Sequence, residues 1–302
     1  MLKIAPALLA LCLFLPFSAS AAPKPNALVL QSDFGTKDGA VASMKGVAFG
    51  VDRNLPVFDL THDIPPYNIW EASFRLVQTL SYWPKGTVFA SIVDPGVGTD
   101  RKSVVALTKD GHYIVGPDNG QLTFAADRIG ITALRQIDEK VHRLPGSDRS
   151  YTFHGRDVYV YTAAKLAAGL ITFEQVGPEW SKPPVKIPYQ QAALENGVLR
   201  GNVPILDVQY GNVWTNIGSD LFQQLKPQKG DVFRVTLRKS AATVHSELIP
   251  YASTFGDVPL GRPLLYLNSL MEVSFALNQA SFAAKYGIGS GPEWSVEIRK
   301  QK

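Results

Sequence analysis

The feature that most constrains the fold is a regular alternation of strand-like and helix-like segments between Asn26 and about Leu170. The predicted order is strand 27–31, helix 38–51, strand 56–60, helix 70–82 and strand 87–93. Such alternation is typical of a mainly parallel sheet covered by helices. A hairpin of strands 103–108 and 112–115, joined by Asp110-Gly111, is expected to extend the sheet, and a last helix, 158–168, ends at Gly169.

The rest of the chain predicts a second, smaller and β-rich domain. Four prolines between Gly177 and Pro188 favour an extended connector. Short β-rich segments follow, interrupted by one predicted helix at 271–286, and together they favour a small barrel or sandwich. We therefore expect an α/β N-terminal domain with a mostly parallel sheet at 26–176, a linker at 177–190, and a barrel-like C-terminal domain at 191–301.

Residues 1–21 are typical of a cleaved signal peptide. Lys3 is their only charge, an apolar stretch covers 4–17, and Ala19-Ser20-Ala21 fits a cleavage site. A transmembrane anchor is the alternative, but the apolar stretch is short and contains two prolines. We expect an exported, periplasmic protein that does not contact the membrane after cleavage. The only cysteine, Cys12, lies in this segment, so no disulfide is expected in the mature chain.

Composition excludes several classes of function. Without residues 1–21 the chain has 29 basic and 26 acidic side chains, a net charge of +3. No run of Lys and Arg alternates with aromatic residues, so nucleic acid is not an expected partner. The five histidines show no close ligand spacing, and we expect neither a metal nor a cofactor. No P-loop, no Gly-x-Gly-x-x-Gly after the first strand and no Gly-x-Ser-x-Gly motif is present.

Three loops carry the residues best suited to chemistry: 94–101, 117–120 and 152–157. Their Gly and Pro residues are expected to hold a carboxylate, a guanidinium and an imidazole near strand ends. Taken alone, Asp94 and Arg101 fit a surface ion pair as well as they fit a functional site. His154, beside a predicted helix, favours a polar cleft instead, and Asp157 is expected to cap that helix.

Several other polar residues fit either a structural or a binding role. Asp33 follows the first strand and fits a helix cap or a ligand to a ribose diol. His62 precedes a proline-rich turn, which favours a structural role. The segment 207–216 fits a β-hairpin or a pocket for a purine base. Asn268-Ser269 and Asn278-Gln279 bracket the first half of the predicted helix 271–286.

Six motifs, taken in order, resemble one family: Ser32-Asp33-Phe34-Gly35, Asp94-Pro95-Gly96-Val97-Gly98, Pro117-Asp118-Asn119-Gly120, Phe153-His154-Gly155-Arg156-Asp157, Tyr210-Gly211-Asn212-Val213-Trp214-Thr215-Asn216 and Asn268-Ser269. The family is the S-adenosyl-L-methionine (SAM) hydroxide adenosyltransferases, which are related to the 5′-halogenases fluorinase and chlorinase. The resemblance implies a two-domain homotrimer, with each site between the N-terminal domain of one subunit and the C-terminal domain of its neighbour.

The resemblance also implies roles for particular residues. Asp94, Arg101 and His154 match the catalytic triad of hydroxide-using members, whereas fluorinase has an aromatic residue at the position of Asp94. The residues implied to bind SAM as substrate are Asp33 at the ribose hydroxyls, Asp38 at the methionine amino group, Tyr67 and Phe153 along the sugar, and Asp207, Tyr210, Asn212, Phe255, Ser269, Asn278 and Gln279 at the adenine and methionine ends. Leu270 and Leu277 stand where halogenases have arginines.

The implied reaction is hydrolysis of SAM to adenosine and methionine by attack of activated water on C5′. Arg101 would stabilise hydroxide, His154 would accept or relay the proton, and Asp94 would orient one of them; the residues leave open whether Asp94 or His154 takes the proton. SAM is made in the cytoplasm, which conflicts with an export signal. Two alternatives therefore stay open: a periplasmic binding protein for adenosine-like nucleosides without turnover, and a SAM-dependent 5′-halogenase.

Overall fold

The computed structural model describes residues 26–301, and the predicted signal peptide lies outside them. The first part of the described chain contains β1 (Leu28–Ser32), α1 (Ala40–Val51), β2 (Val57–Thr61), α2 (Ile69–Leu80), β3 (Val88–Ile92), β4 (Ser103–Thr108), β5 (Tyr113–Pro117), β6 (Ile131–Gln136) and α3 (Tyr161–Ala167). Single π-helical turns lie at Ala125–Ile129 and Gly155–Val160, and a 3-10 turn at Glu174–Val176.

The first six strands form one mixed sheet in the order β2-β1-β3-β5-β4-β6. β1 pairs in parallel with β2 and β3, and β3 pairs in parallel with β5. β4 pairs antiparallel with β5 and β6, which confirms the predicted hairpin. Every residue of β1 and β3 is buried because helices cover the sheet. The carboxyl ends of β1, β3 and β5 therefore meet at one edge, where Asp33, Asp94 and Asp118 follow.

The second part of the described chain is built from two antiparallel sheets. Its elements are β7 (Ala193–Glu195), β8 (Val198–Asn202), β9 (Ile205–Asp207), β10 (Asn212–Gly218), α4 (Ser219–Gln223), β11 (Val232–Lys239), β12 (Ala242–Pro250), β13 (Pro263–Leu267), β14 (Glu272–Leu277), α5 (Phe282–Tyr286) and β15 (Trp294–Lys300). The sheet orders are β13-β14-β10-β9 and β12-β11-β15-β8-β7. Residues of both sheets share one apolar core, including Phe233 and Phe275. The predicted combination of an α/β part and a β-rich part is confirmed.

The helix predicted at 271–286 is wrong over its first half. Residues Glu272–Leu277 form strand β14, which pairs with β10 and β13, and only Phe282–Tyr286 is helical. All six residues of β14 are buried, so the strand lacks the alternation that would distinguish it from a helix. Asn268-Ser269 and Asn278-Gln279 consequently lie at the two ends of a strand. Strand β12, which has mostly exposed and half-buried residues at a sheet edge, was not predicted.

An aromatic cluster joins the two parts of the chain. The Trp70 indole Nε1 donates a hydrogen bond to the carbonyl oxygen of Pro204 at 2.8 Å. Its ring packs against Phe124 and Tyr189, with centroid separations of 4.8 and 5.2 Å. Trp70 thus connects α2 to the segment that precedes β9, and its burial stabilises both parts together.

A partly buried ion pair lies next to this cluster. Arg128 Nη1 is 2.8 Å from Glu272 Oε1, and the guanidinium stacks over the rings of Phe74 and Phe124. Burial raises the pKa of Glu272, although Arg128 opposes this shift. The pair therefore fixes how β14 lies on the first part of the chain more than it adds net stability.

The segment 177–190 connects the two parts along the surface of the first. Its Val185 N–H donates to Asp118 Oδ1 at 2.8 Å, and its Ile187 N–H donates to Thr123 Oγ1 at 3.0 Å. Within residues 26–301, no helix has the length and apolar content that crossing a membrane requires.

We predict that Trp70→Ala lowers the free energy of unfolding by about 3–5 kcal/mol, because it opens a cavity between the two parts and removes the hydrogen bond to Pro204. Urea unfolding followed by tyrosine fluorescence and far-UV circular dichroism measures the change. Tyr82→Ala is the matched control, since Tyr82 follows the same helix but is 70% exposed, and its effect should stay within about 0.5 kcal/mol. Equal losses in both variants would contradict the stabilising role of this junction.

Candidate active site

A cavity of about 240 Å³ lies at the carboxyl ends of β1 and β3. Five residues that the sequence singled out line it: Asp33, Tyr67, Asp94, Phe153 and His154. They come from four separate loops, which the parallel strand order brings to the same edge. Arg101 lies directly behind the wall of the cavity, in contact with Asp94 and His154.

Asp94 and Arg101 form a buried, two-pronged ion pair. Arg101 Nε lies 2.9 and 3.0 Å from the two carboxylate oxygens, and Nη2 lies 2.6 Å from Oδ2. The side chains are only 7% and 10% exposed, so the interpretation as a surface ion pair is wrong. Burial lowers the pKa of Arg101, but the hydrogen bonds to Asp94 and the charge interactions with Tyr159, Asp94 and Glu139 together outweigh it and raise the pKa overall. The guanidinium is thus a fixed positive charge beside the cavity.

The loop between β3 and β4 explains why these two residues meet. Gly98 has a φ of +79°, a conformation that favours glycine. At Gly96, an added Cβ would lie 3.2 Å from the Arg101 side chain and 3.2 Å from Thr99 Oγ1. The turn is therefore tight enough to bring Arg101 back onto Asp94, seven residues earlier.

His154 is held between two arginines. Arg101 Nη2 lies 2.7 Å from its Nδ1, and Arg143 Nη2 lies 3.1 Å from its Nε2. Burial is the main cause that lowers the pKa of His154 from its ordinary 6.5; Arg101 and Arg143 lower it further, while Glu139 and Asp94 oppose the shift. The imidazole is therefore neutral at neutral pH.

Gly155 lets His154 approach the sheet. A Cβ at this position would lie 3.0 Å from Ile92 Cγ2 and 3.2 Å from the Phe34 ring. The π-helical turn that starts at Gly155 would move away from β3 if it carried a larger residue. The Phe-His-Gly sequence is thus a packing requirement for the site.

The expectation that Asp157 caps this helix is wrong. Asp157 lies inside the π-helical turn, is fully buried, and pairs with the Arg156 guanidinium at 2.6 and 3.1 Å. The same guanidinium stacks over the Phe153 ring at 4.9 Å. Asp157 therefore fixes Arg156 and, through it, one wall of the cavity.

Asp33 does not cap a helix. Its Oδ2 accepts a hydrogen bond from the Tyr67 N–H at 2.8 Å, and Tyr67 has a φ of +67°. This contact fixes the loop before α2 against the loop after β1. Asp38 lies outside the cavity, where it is exposed and accepts from the Ala40 N–H at the start of α1.

Three further residues, His62, Asp118 and Asn119, have structural surroundings. The ring nitrogens of His62, which is buried, lie 2.7 Å from Ser32 Oγ and 3.1 Å from Asp59 Oδ1. In the loop 117–120, Asn119 Nδ2 donates to the carbonyl oxygen of Val93 at 2.9 Å. Burial raises the pKa of Asp118, which holds the connector. His62 and the loop 117–120 brace the site without lining the cavity.

Sequence reasoning missed four residues around the triad. Tyr159 donates to Asp94 Oδ2 at 3.2 Å, and Ser103 lies 3.2 Å from Arg101 Nη1. Glu139 and Arg143 come from the loop after β6. Burial raises the pKa of Tyr159, so its hydroxyl remains a donor. No local motif marks these residues, and only their position in the folded chain reveals them.

A second, larger cavity of about 1230 Å³ lies in the C-terminal part. All seven residues predicted there line it: Asp207, Tyr210, Asn212, Phe255, Ser269, Asn278 and Gln279. β9 and β10 form the hairpin that the sequence also allowed, and Asn212 Nδ2 donates to Asp207 Oδ2 at 3.1 Å. A β-hairpin and a pocket for a purine base, the two roles that the sequence allowed for segment 207–216, are thus compatible.

Leu270 and Leu277 make apolar contacts. Leu277 lines the second cavity and is 3% exposed, and Leu270 packs against the aromatic cluster around Trp70. The two cavities have no lining residue in common, so one chain holds the triad and the predicted adenine pocket at separate places. Among residues 26–301, no three His, Cys, Asp or Glu side chains are grouped to hold a metal ion.

Comparison with known proteins identifies the family. Residues 28–177 match the N-terminal domain of the SAM hydroxide adenosyltransferases, and residues 201–295 match the C-terminal domain. The chain therefore belongs to the SAM hydroxide adenosyltransferase family. The crystal structure of an uncharacterized conserved protein from Thermotoga maritima matches with a TM-score of 0.81 and 32% identity, covering 90% of this chain and 99% of that chain.

Named relatives fall into two groups. An (R)-S-adenosyl-L-methionine hydrolase from Thermus thermophilus is 35% identical over 86% of this chain and 95% of its own length. Another, from Methanocaldococcus jannaschii, is 39% identical over 46% of this chain, a match that spans about half of that protein (52%). A fluorinase from Actinopolyspora mzabensis is 29% identical over 87% of this chain and 94% of its own length.

We predict that His154 makes stability depend on pH. Because its pKa is lower in the folded chain than 6.5, the unfolded chain binds the proton first as pH falls. Stability is therefore lost below pH 6.5, by at most about 1.4 kcal/mol per pH unit, until the folded chain also binds the proton. Urea unfolding at pH 7.5 and 5.5 should show a smaller loss for His154→Gln than for the wild type; equal losses would contradict the assigned neutral state.

Proposed function

We propose that this protein hydrolyses SAM to adenosine and L-methionine by in-line attack of water-derived hydroxide on C5′. Membership of the family and the hydrolases among its relatives support this function. The observation that carries it is the cluster of Asp94, Arg101 and His154, which joins a buried guanidinium, a carboxylate and an imidazole at one cavity. No cofactor is proposed.

The reaction balances without a redox partner. An oxygen–C5′ bond forms, the C5′–sulfur bond breaks, and its electron pair returns to sulfur to give neutral methionine. One proton from water goes to the protein. Because the nucleophile is anionic and the sulfonium is cationic, charge cancels in the transition state, so the site must position both partners and exclude bulk water. Arg101 stabilises the developing hydroxide next to the cavity.

Within this proposal, Asp94 is the acceptor of the proton. Both ring nitrogens of His154 already face guanidinium groups, so a water molecule in the cavity finds no free lone pair on this ring. Asp94 lines the cavity, and its Oδ1 contacts only Arg101 Nε among the described side chains, at 2.9 Å. General-base help of this kind contributes about 10²–10⁴-fold.

Halide transfer is the second candidate, because fluorinases are among the relatives. A halide ion is already anionic and has no proton to lose, so a carboxylate at the cavity wall would repel it without assisting the reaction. The position of Asp94 therefore favours water. A binding protein without turnover would not need a buried Asp94–Arg101 pair beside its ligand.

We also propose that the working protein is a homotrimer whose sites combine the first cavity of one subunit with the second cavity of its neighbour. Separate cavities within one chain support this arrangement. So do two exposed aromatic side chains that line the cavities, Tyr67 at 73% and Tyr210 at 67% exposure.

The sequence of residues 1–21 supports export to the periplasm, where the physiological sulfonium or nucleoside substrate would have to be supplied.

The function is tested by incubating the mature protein with SAM, with and without chloride, and separating the products. Adenosine and methionine in equal amounts are expected under both conditions. Arg101→Met and Asp94→Asn should each lower kcat by at least about 100-fold while SAM still binds, because they remove groups that act on the nucleophile. Formation of 5′-chloroadenosine would establish the halogenase alternative, and bound but unchanged SAM would establish the carrier.

The shared site is tested by subunit mixing. Asp94→Asn impairs the first cavity and Asn212→Ala the second, so each variant alone should be inactive. Co-expressed subunits that share sites should regain about a quarter of wild-type activity, since that fraction of random pairings combines two intact cavities. Asp94→Asn mixed with Arg101→Met is the matched control and should stay inactive. No recovery in the first mixture, with trimers confirmed by light scattering, would rule out sites built from two subunits.

A further inference from the structure

Two side chains of the triad, Arg101 and His154, belong to a closed ring of five side chains. Arg101 Nη2 lies 2.7 Å from His154 Nδ1, and His154 Nε2 lies 3.1 Å from Arg143 Nη2. Arg143 Nη2 lies 3.0 Å from Glu139 Oε2. Glu139 Oε1 accepts from Ser103 Oγ at 2.8 Å, and Ser103 Oγ accepts from Arg101 Nη1 at 3.2 Å. Arg143 and Glu139 thus connect His154 back to Arg101 by a second route.

Arg143 is fixed in place although it comes from a loop. Its side chain is 9% exposed, it forms the ion pair with Glu139, and its guanidinium stacks over the Tyr151 ring at 4.6 Å. Arg143 does not line the cavity, and among the triad side chains it contacts only His154. Its direct route to the triad is therefore His154, and its second route runs through Glu139 and Ser103 to Arg101.

The position of Arg143 determines which ring nitrogen of His154 carries the proton and which one accepts a hydrogen bond. A neutral imidazole has one lone pair and one N–H. The shorter contact assigns the lone pair to Nδ1, where it accepts from Arg101, and the N–H then points at Arg143. Protonation would direct a second N–H at a guanidinium. The charged groups that face the ring are Arg101, Arg143, Asp94 and Glu139, and the rings of Tyr151 and Tyr159 pack near it.

We propose that Arg143, anchored by Glu139, is a positioning residue for the proposed hydrolysis: its guanidinium faces Nε2 of His154 and, together with burial and Arg101, holds the ring in the form that accepts from Arg101 and keeps that guanidinium against Asp94. His154 is then the support of Arg101 and does not carry the proton. This inference rests on the proposed function, but its structural part concerns the free protein and can be measured without substrate.

The kinetic test compares Arg143→Met, Arg143→Lys and the control Arg149→Met, which alters an exposed arginine of the same loop. For Arg143→Met, we expect kcat to fall about 10- to 100-fold with little change in KM, because the guanidinium of Arg101 loses its alignment. The acid limb of the pH profile of kcat should move to higher pH, because the pKa of His154 rises when the positive charge of Arg143 is gone. Arg143→Lys retains the charge, so its acid limb should lie at the wild-type pH. Arg149→Met should match the wild type in both kcat and pH profile.

Glu139→Gln gives a test of opposite sign. This change removes a negative charge that faces His154 while it keeps a group that can accept from Arg143. A lower kcat is expected from the looser anchor, but the acid limb should move to lower pH, because a negative charge that faces His154 is gone. A purely structural role for the ring would lower thermal stability in both variants without moving the two pH profiles in opposite directions.

The independent readout is the titration of His154 in the substrate-free protein by NMR with labelled histidine. Its signals are assigned by their loss in His154→Gln. The titration should move to higher pH in Arg143→Met and remain near the wild-type position in Arg143→Lys. An unchanged titration in Arg143→Met, or a wild-type kcat in that variant, would overturn the inference. If the wild type fails to hydrolyse SAM while the titration shifts as expected, the proposed function fails and the positioning of His154 by Arg143 stands.

Discussion

The site depends on one guanidinium group that contacts two different partners at once. Arg101 binds both oxygens of Asp94 and reaches His154 Nδ1 with the same nitrogen that contacts Asp94 Oδ2. A lysine could not make these contacts together, because an ammonium group lacks the planar fork. Since the ion pair is about nine-tenths buried, its charges act on a nucleophile in the cavity with little screening by solvent.

The fold supplies this geometry through its strand order and its tight loops. Parallel strands place Asp33 and Asp94 at one edge, and the loop with Gly98 returns Arg101 to the end of β3. Gly155 allows the segment with His154 to pack against the same strand. The C-terminal part holds its own cavity, which the junction around Trp70 keeps in a fixed relation to the first part. The triad and the predicted adenine pocket are therefore organised by separate cores.

The sequence predicted the alternating strands and helices well because their periodicity is strong and local. It failed at β14, where burial on both faces removes the alternation, and at Asp157, where a π-helical turn displaces the expected cap. The Gly- and Pro-rich loops singled out Asp94, Arg101 and His154, and the family resemblance implied their joint role as a triad. Arg143 and Glu139 could not be found in this way, because their contacts with His154 and Ser103 depend on tertiary packing and no motif marks them.

The most direct test of the account is a single turnover of SAM in water labelled with oxygen-18, followed by mass spectrometry of the products. Attack of activated water on C5′ predicts one labelled oxygen in adenosine, on the 5′-hydroxyl, and none in methionine. The Arg101→Met variant should form this labelled product at least about 100-fold more slowly. Unlabelled adenosine, or label at any other position of the products, would contradict hydrolysis at C5′ and with it the role assigned to the Asp94–Arg101 pair.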